Sequence, residues 1–449
     1  MEEVDLVVIG SGQGGRPLAL AQAAAGRRVV LFERARLGGT CVNNGCTPSK
    51  AFLAAAHNAG RARSAESLGI HATVRVDQEA VMQRVRRIRD DWHGHAVRTF
   101  AESSVEVVHA EGRFTGDRIV SGGGRTFRGE RVVIDTGSRP LVPKVAGLAQ
   151  APYLTNETFF DLERLPQRLA VLGAGYIGME LGQGAARLGS DVTIVGRGAR
   201  VLAQEDADAS DVVRRAFEAE GIAFRPNADT QSVSHNGRAF TLTFAEGAPL
   251  EADALLVATG RRSNADTLDA ERSAIALDER GVIVVDERLQ TTCPGVYAIG
   301  EAAGQAAFTH VSWEDYRRLE SIFAGRPRTR HDRVLSYSTF TEPQLARTGI
   351  NAAQARQLTR PTQSRTLPLT DVARGAEWNL DTGFYRMIVD EENGTILGAT
   401  LVGYEAGEIV HSLAFAIERG ATWRDVDAFV AIHPTFGEAL PSLAREFAN

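Results

Sequence analysis

Residues 5–19 read DLVVIGSGQGGRPLA, and residues 168–181 read RLAVLGAGYIGMEL. In both, a short apolar run of strand character stops at a glycine-rich turn, and a helical pattern follows. A second apolar run closes each unit, RVVLFE at 28–33 and DVTIVG at 191–196. One GxGxxG is weak evidence; two, each after a strand and before a helix, are strong evidence for a duplicated dinucleotide-binding unit. Gly10 and Gly173 permit the tight turn, Gly12 and Gly175 let the backbone approach a pyrophosphate, and Gly15 and Gly178 allow helix and strand to pack closely. The helix N-terminus then faces the phosphates. Pro17 falls early in the first helix, where a missing N–H costs little.

The two units end differently. The first closes on Glu33, whose carboxylate suits both hydroxyls of a free ribose and repels a 2′-phosphate. The second closes on Val195-Gly196-Arg197-Gly198-Ala199-Arg200, with no acid. Arg197 and Arg200 suit a 2′-phosphate, so the second unit is expected to take NADPH and the first an adenosine with a free ribose.

The remaining sequence fits around this core. With 449 residues, about three domains are expected. Hydrophobic content of 43% and charged content of 24% are those of a soluble globular chain. A net charge of −6 argues against a general nucleic-acid binder. No apolar run is long enough for a transmembrane helix. The first residues, MEEVD, lack the basic and apolar regions of a signal peptide, so a cytoplasmic protein is expected. Residues 78–103 read as a long arginine-rich helix with a solvated face. From Ser336 onward, strands (YSTFT, FYRMIV, ILGATLVG) and helices near 405–418 and 422–428 suggest a separate α+β unit.

Three cysteines are present, and two stand in Cys41-Val-Asn-Asn-Gly-Cys46, at the start of a helical stretch. A zinc site would need a second pair, which the chain lacks, so no resident metal is expected. A close pair at a helix N-terminus near a cation suits reversible disulfide chemistry, because both features favour the thiolate. Cys293 has no partner in sequence and reads as packing. His433 and Glu438, in HPTFGE, have the spacing of a base and its orienting acid. Of the 50 basic residues only Lys50 and Lys144 are lysines, so the placement of Lys50 four residues after Cys46 is notable.

GGTCVNNGCTPSK (38–50), the two GxGxxG units, ATGRRSN (258–264), VYAIGE (296–301) and HPTFGE (433–438) occur in the order found in the class I pyridine nucleotide–disulfide oxidoreductases, which the whole chain resembles. The resemblance implies an α/β fold like that of glutathione reductase. Its expected parts are an FAD-binding domain (1–145 and 266–335), a nucleotide-binding domain (146–265) and a dimerisation domain (336–449). It places FAD on Gly10, Gly12, Gly15 and Glu33, with Gly39, Thr40, Thr136 and Gly137 near it and the VYAIGE segment, with Gly300 and Glu301, at the ribityl chain. It places NADPH on Gly173, Gly175 and Gly178, with Arg197, Arg200 and Gly260, and makes Tyr176 a gate over the flavin. Hydride would pass from NADPH to flavin and electrons on to the disulfide, Cys46 facing the flavin and Cys41 meeting the acceptor. Lys50 and Glu180 match the family's flavin-side ion pair. His433, with Glu438, would serve the cysteines of a partner subunit, which implies a homodimer with shared active sites.

Within the family, RGVIVVDERLQTT, FTHVSWEDYRRLE and YSTFTEPQLARTGI are similar to the mercuric-reductase-like branch, which includes bacterial reactive-chlorine-resistance flavoproteins. A disulfide, a metal ion such as copper(II) or an oxidant is the expected acceptor. Mercury is disfavoured, because no cysteine follows Cys293. An NAD-linked dihydrolipoamide dehydrogenase and a glutathione reductase are the alternatives. Glu301, Thr47 and Asp135 depart from the family pattern.

Overall fold

The computed structural model describes residues 1–448. The first apolar run forms the strand Glu2–Ile9, and its inner residues are buried on both faces, which is why the run is continuous rather than alternating. It lies in a seven-stranded sheet between the parallel strands Val29–Phe32 and Arg125–Ile134. The strand Glu106–Val108 extends one edge. Arg125–Ile134 divides its other edge. Its first half pairs antiparallel with Ile119–Gly122, and its second half pairs parallel with Val296–Ala298, a strand from far along the chain. Ile9 lies opposite Phe32 and Ile134, so three strands end level and their following loops converge. In open parallel sheets that carboxyl edge is where ligands bind.

The second unit repeats the arrangement. Arg168–Leu172 lies between Asp191–Val195 and Ala254–Val257, all parallel, with Ala223–Arg225 at the edge. Leu172 faces both Val195 and Val257, giving a second level edge. The tail forms a five-stranded antiparallel sheet in the order Ser336–Thr339, Gln344–Gly349, Ile396–Gly403, Phe384–Asp390, Thr362–Pro368. The helices Ala406–Glu418 and Ala439–Arg445 bury Val410, Leu413, Leu440 and Leu443 in one core with this sheet. No helix among the described residues is long and apolar enough to cross a membrane.

The arginine-rich segment keeps the expected solvated face, with Arg84, Arg87 and Arg98 exposed, and adds a buried one. The helix Gln78–Ala101, capped by the Asp77 side chain, buries Met82, Val85, Arg89, Ala96 and Phe100. It packs on the helix Cys46–Ser64, with Arg84 donating to Ala51 O at 3.1 Å and Arg89 pairing with Asp161 at 2.7 Å. The aliphatic stems of these arginines cover apolar surface while their heads reach backbone or acid, a pattern that a count of charges does not reveal. This contact fixes the helix that begins at Cys46.

Candidate active site

Both glycine-rich turns have the geometry that the sequence calls for. Gly10 (φ +104°) and Gly173 (φ +121°) occupy the left-handed region. A Cβ on Gly15 would strike Gly10 O, and one on Gly178 would strike Gly173 O, so both glycines serve helix–strand contact. A Cβ on Gly175 would meet nothing within 4 Å, which leaves that backbone open to the cleft. Glu33 is set in place by Ser11, whose N–H and hydroxyl donate to Oε2 at 3.0 and 2.6 Å, while Ala35 N donates to Oε1 at 2.9 Å. Its remaining lone pairs are available to a ligand.

One cleft of about 3160 Å³ runs past both turns, far above the 300–1,000 Å³ of an ordinary small-molecule pocket. It is lined by Gly10, Gly12, Glu33, Gly39, Thr40, Cys41, Cys46, Lys50, Thr136 and Gly137 on one side, and by Gly173, Gly175, Tyr176, Glu180, Arg197, Arg200 and Gly260 on the other. Gly15, Gly178 and Gly300 lie beneath this surface. His433 and Glu438 are elsewhere. They bond to each other, His433 Nδ1 to Glu438 Oε2 at 2.8 Å, and His433 is 72% exposed. Within one chain they do not meet the cysteines.

The dithiol sits between the two turns. Cys41 belongs to the short helix Gly39–Asn43, and Cys46 opens the 19-residue helix Cys46–Ser64. Both are free thiols. A hydrogen bond from Cys41 is the largest influence on Cys46. Burial opposes it, and Thr309 (Oγ1 to Sγ, 3.0 Å) and Lys50 add to it, bringing the Cys46 thiol down to about 6. The same contact, together with burial, pushes Cys41 up. In the reduced pair the thiolate therefore resides on Cys46, at a helix N-terminus that favours the anion. The thiolate absorbance of the reduced protein is expected to appear with a midpoint near pH 6 and to be lost below it. Replacing Thr309 with valine is expected to move that midpoint upward.

Lys50 Nζ bonds Glu180 Oε2 at 2.8 Å and stands 4.5 Å from the centre of the Phe340 ring, while Phe340 N donates to Glu180 Oε1 at 3.0 Å. Three segments far apart in sequence thus fix one ammonium. The Tyr176 hydroxyl donates to Glu205 Oε1 at 2.5 Å and that of Tyr337 donates to the same oxygen at 2.8 Å. Burial is the main reason both phenols are shifted upward and stay neutral. Phe308 stacks on Tyr337 at 4.7 Å. Phe308, Thr309 and Tyr337 lie in segments that carried the branch resemblance but were given no role there, and Glu205 lies in no motif.

Glu301, expected near the ribityl chain and a departure from the family pattern, lines the same cleft. Its carboxylate accepts from the Ser138 hydroxyl and from Arg261 Nε at 3.0 Å, so a guanidinium already occupies one oxygen. The longer acid reaches across to the Arg261–Ser263 strand, which pairs with Ser138–Pro140. Cys293 is buried in the core of the first sheet, consistent with packing.

Residues 4–319 match the pyridine nucleotide-disulphide oxidoreductase family, and residues 335–444 match its dimerisation domain. The chain belongs to this family. Among curated relatives, the mercuric reductase of Acidithiobacillus ferrooxidans is 34% identical over 458 residues, covering 100% of this chain and 83% of the relative. The dihydrolipoyl dehydrogenase of Haloferax volcanii is 33% identical over 453 residues, covering 98% and 95%. Identity alone therefore does not choose between acceptors. Among solved structures, the Cu(II) complex of the HOCl-induced flavoprotein disulfide reductase RclA from Escherichia coli superposes with a TM-score of 0.90 at 30% identity, covering 99% of this chain and 100% of that one. This pyridine nucleotide–disulphide oxidoreductase is thus an FAD-dependent flavoprotein with two dinucleotide-binding units and a C-terminal dimerisation domain.

The residues present fit FAD. Thr136 Oγ1 lines the cleft beside the first turn, buried and without a hydrogen-bond partner. A Cβ on Gly39 would press against the Gly12 backbone at 2.7 Å, so glycine is required where the loop carrying Cys41 crosses the turn. Gly10, Gly12 and Glu33 would hold the adenosine and pyrophosphate end, and Thr40, Cys46 and Lys50 would stand near the flavin.

Proposed function

We propose that the enzyme uses NADPH to reduce a disulfide, a metal ion such as copper(II) or an oxidant, through the Cys41–Cys46 dithiol, in the cytoplasm. The observation that carries this reading is the dithiol at a helix N-terminus, in the same cleft as both dinucleotide turns. FAD, when bound, supplies the two-electron relay between nicotinamide and dithiol. The chain supplies the rest. Arg197 and Arg200 lie on the open loop after Asp191–Val195, with no carboxylate partner among the described residues, and they favour a 2′-phosphate. Tyr176, held by Glu205, lines the same cleft and matches the family's gate over the flavin. Lys50, fixed by Glu180 and Phe340, holds positive charge beside Cys46. Cys41 is the thiol that exchanges with the acceptor, and Cys46 carries the thiolate left after exchange.

The acid–base group for that exchange is assigned to His433, oriented by Glu438, acting across a two-fold dimer. Phe429, Val430 and Ile432, just before His433, are 61%, 89% and 79% exposed. An apolar run this exposed beside a functional pair favours burial against a second copy. His433→Ala is expected to lower disulfide turnover by about 10²–10⁴-fold while leaving flavin reduction unaffected.

Acceptor choice is tested by NADPH-driven turnover with oxidised lipoamide, glutathione disulfide, Cu(II), Hg(II) and quinones. Turnover confined to lipoamide with NADH would instead make the enzyme a dihydrolipoamide dehydrogenase. Lys50→Arg retains the charge but not the compact ammonium. It is expected to slow flavin-to-dithiol transfer roughly tenfold, about 1.4 kcal/mol of barrier. An unchanged rate in stopped-flow would remove that role.

A further inference from the structure

The Asp135 side chain is the unusual feature of the first turn. It follows the strand Arg125–Ile134 and its N–H donates to Ile9 O at 2.8 Å, so the residue sits directly under the glycine-rich loop. Oδ2 accepts from Gly15 N at 2.6 Å, and Oδ1 accepts from the Ser312 hydroxyl at 3.1 Å. A Cβ on Gly12 would lie 2.6 Å from Oδ2, so the carboxyl fills the space behind the backbone that a pyrophosphate approaches. A Cβ on the equivalent Gly175 of the second unit would meet nothing within 4 Å.

The residue is 7% exposed, and no cation pairs with it among the described residues. The charged groups around it do not neutralise it. Asp315, on the helix Thr309–Phe323, accepts from Gly300 N at 2.9 Å and is paired with Arg333. Glu314 of that helix is paired with Arg318 and Arg328. Glu33, across the turn, is bonded to Ser11. Arg16, on the helix Gly15–Ala24, forms no ion pair among the described residues. Burial is the main reason the Asp135 carboxyl is raised to about 7, with the Gly15 and Gly14 N–H groups and Ser312 opposing it and Asp315 adding to the rise. A pyrophosphate brought to this turn adds negative charge beside it and favours the neutral acid further.

We propose that Asp135 is a proton-linked FAD-binding residue: its carboxyl takes up one proton when FAD binds and, as the neutral acid, remains beneath the pyrophosphate as a hydrogen-bonding group. The inference rests on FAD occupying the first turn and is independent of the acceptor. By linkage, a ligand that raises a group's proton affinity binds more weakly as pH rises through the window above the free group's titration. The FAD dissociation constant is therefore expected to be flat below pH 6 and to rise by up to about tenfold per pH unit above pH 7.

The test uses deflavinated full-length protein, its folding checked by circular dichroism. FAD binding is followed by quenching of flavin fluorescence from about pH 5.5 to about pH 9, which spans the transition. Calorimetry in buffers of differing ionisation enthalpy counts the protons. Wild type is expected to take up close to one proton at pH 8, and Asp135→Asn and Asp135→Ala none, with pH-independent affinity. Glu33→Ala, expected to weaken FAD equally at every pH, reports separately on where FAD sits. A wild-type profile matching that of Asp135→Asn, with no proton uptake, would overturn the proposal.

Discussion

In Cys41→Ser, NADPH still reduces the flavin at the wild-type rate, while turnover of disulfide acceptors falls by at least about 10³-fold. The asymmetry follows from the surroundings of the two sulfurs. In the wild type Cys46 is brought to about 6 first by the hydrogen bond from Cys41 and then by Thr309 and Lys50; the last two, with the helix N-terminus, still favour its thiolate in the variant. Cys41 is the thiol assigned to form the mixed disulfide with an acceptor, and a serine hydroxyl in its place cannot form that bond. Cys46→Ser is expected to block the same turnover one step earlier, leaving reduced flavin that is not reoxidised by disulfide. Stopped-flow absorbance of the flavin separates these halves of the cycle. Disulfide turnover surviving in Cys41→Ser would refute the assigned role of that residue.

The second large effect concerns the choice of nucleotide. Each guanidinium–phosphate contact contributes about 1.5–3 kcal/mol. Arg197 and Arg200 stand on an open loop, where solvent and salt screen them, so about 3 kcal/mol for the pair together is expected. Replacing both with alanine should lower kcat/KM for NADPH by roughly 10²-fold and leave that for NADH nearly unchanged. The loss is expected in KM, because the 2′-phosphate is remote from the transferred hydride. Raised ionic strength should weaken NADPH in the parent enzyme and have little effect on the double variant. Equal efficiency with the two nucleotides in the parent enzyme would end the assignment to NADPH.

Much of this site was legible in the chain because its elements are local. Strand, turn and helix in GSGQGG and GAGYIG span about a dozen residues, and backbone sterics make glycine obligatory at fixed offsets. The Cys41–Cys46 pair is equally compact. Lys50 was marked by scarcity and by its spacing from Cys46, one helical turn into the helix that Cys46 opens. Other features needed the fold. The solvated face of Gln78–Ala101 was legible, but the burial of Arg89 was not, because composition does not distinguish a head in water from a stem lying on a core. Glu301 was marked in the sequence only as a departure from the family pattern, because its engagement depends on Arg261, which another strand brings to it.

The sequence by itself determined that the protein has two dinucleotide-binding units and a redox pair, since these depend on short-range backbone geometry and helix periodicity. The Lys50–Glu180 pair, 130 residues apart, was implied by the family resemblance and is formed. Tertiary structure alone brought Thr309 to Cys46, across 263 residues. The level ends of the two sheets bring both turns to one cleft, where burial removes water and gives each remaining charge its strength. The same burial surrounds the Asp135 carboxyl under the first turn, which the sequence marked only as a departure from the family pattern.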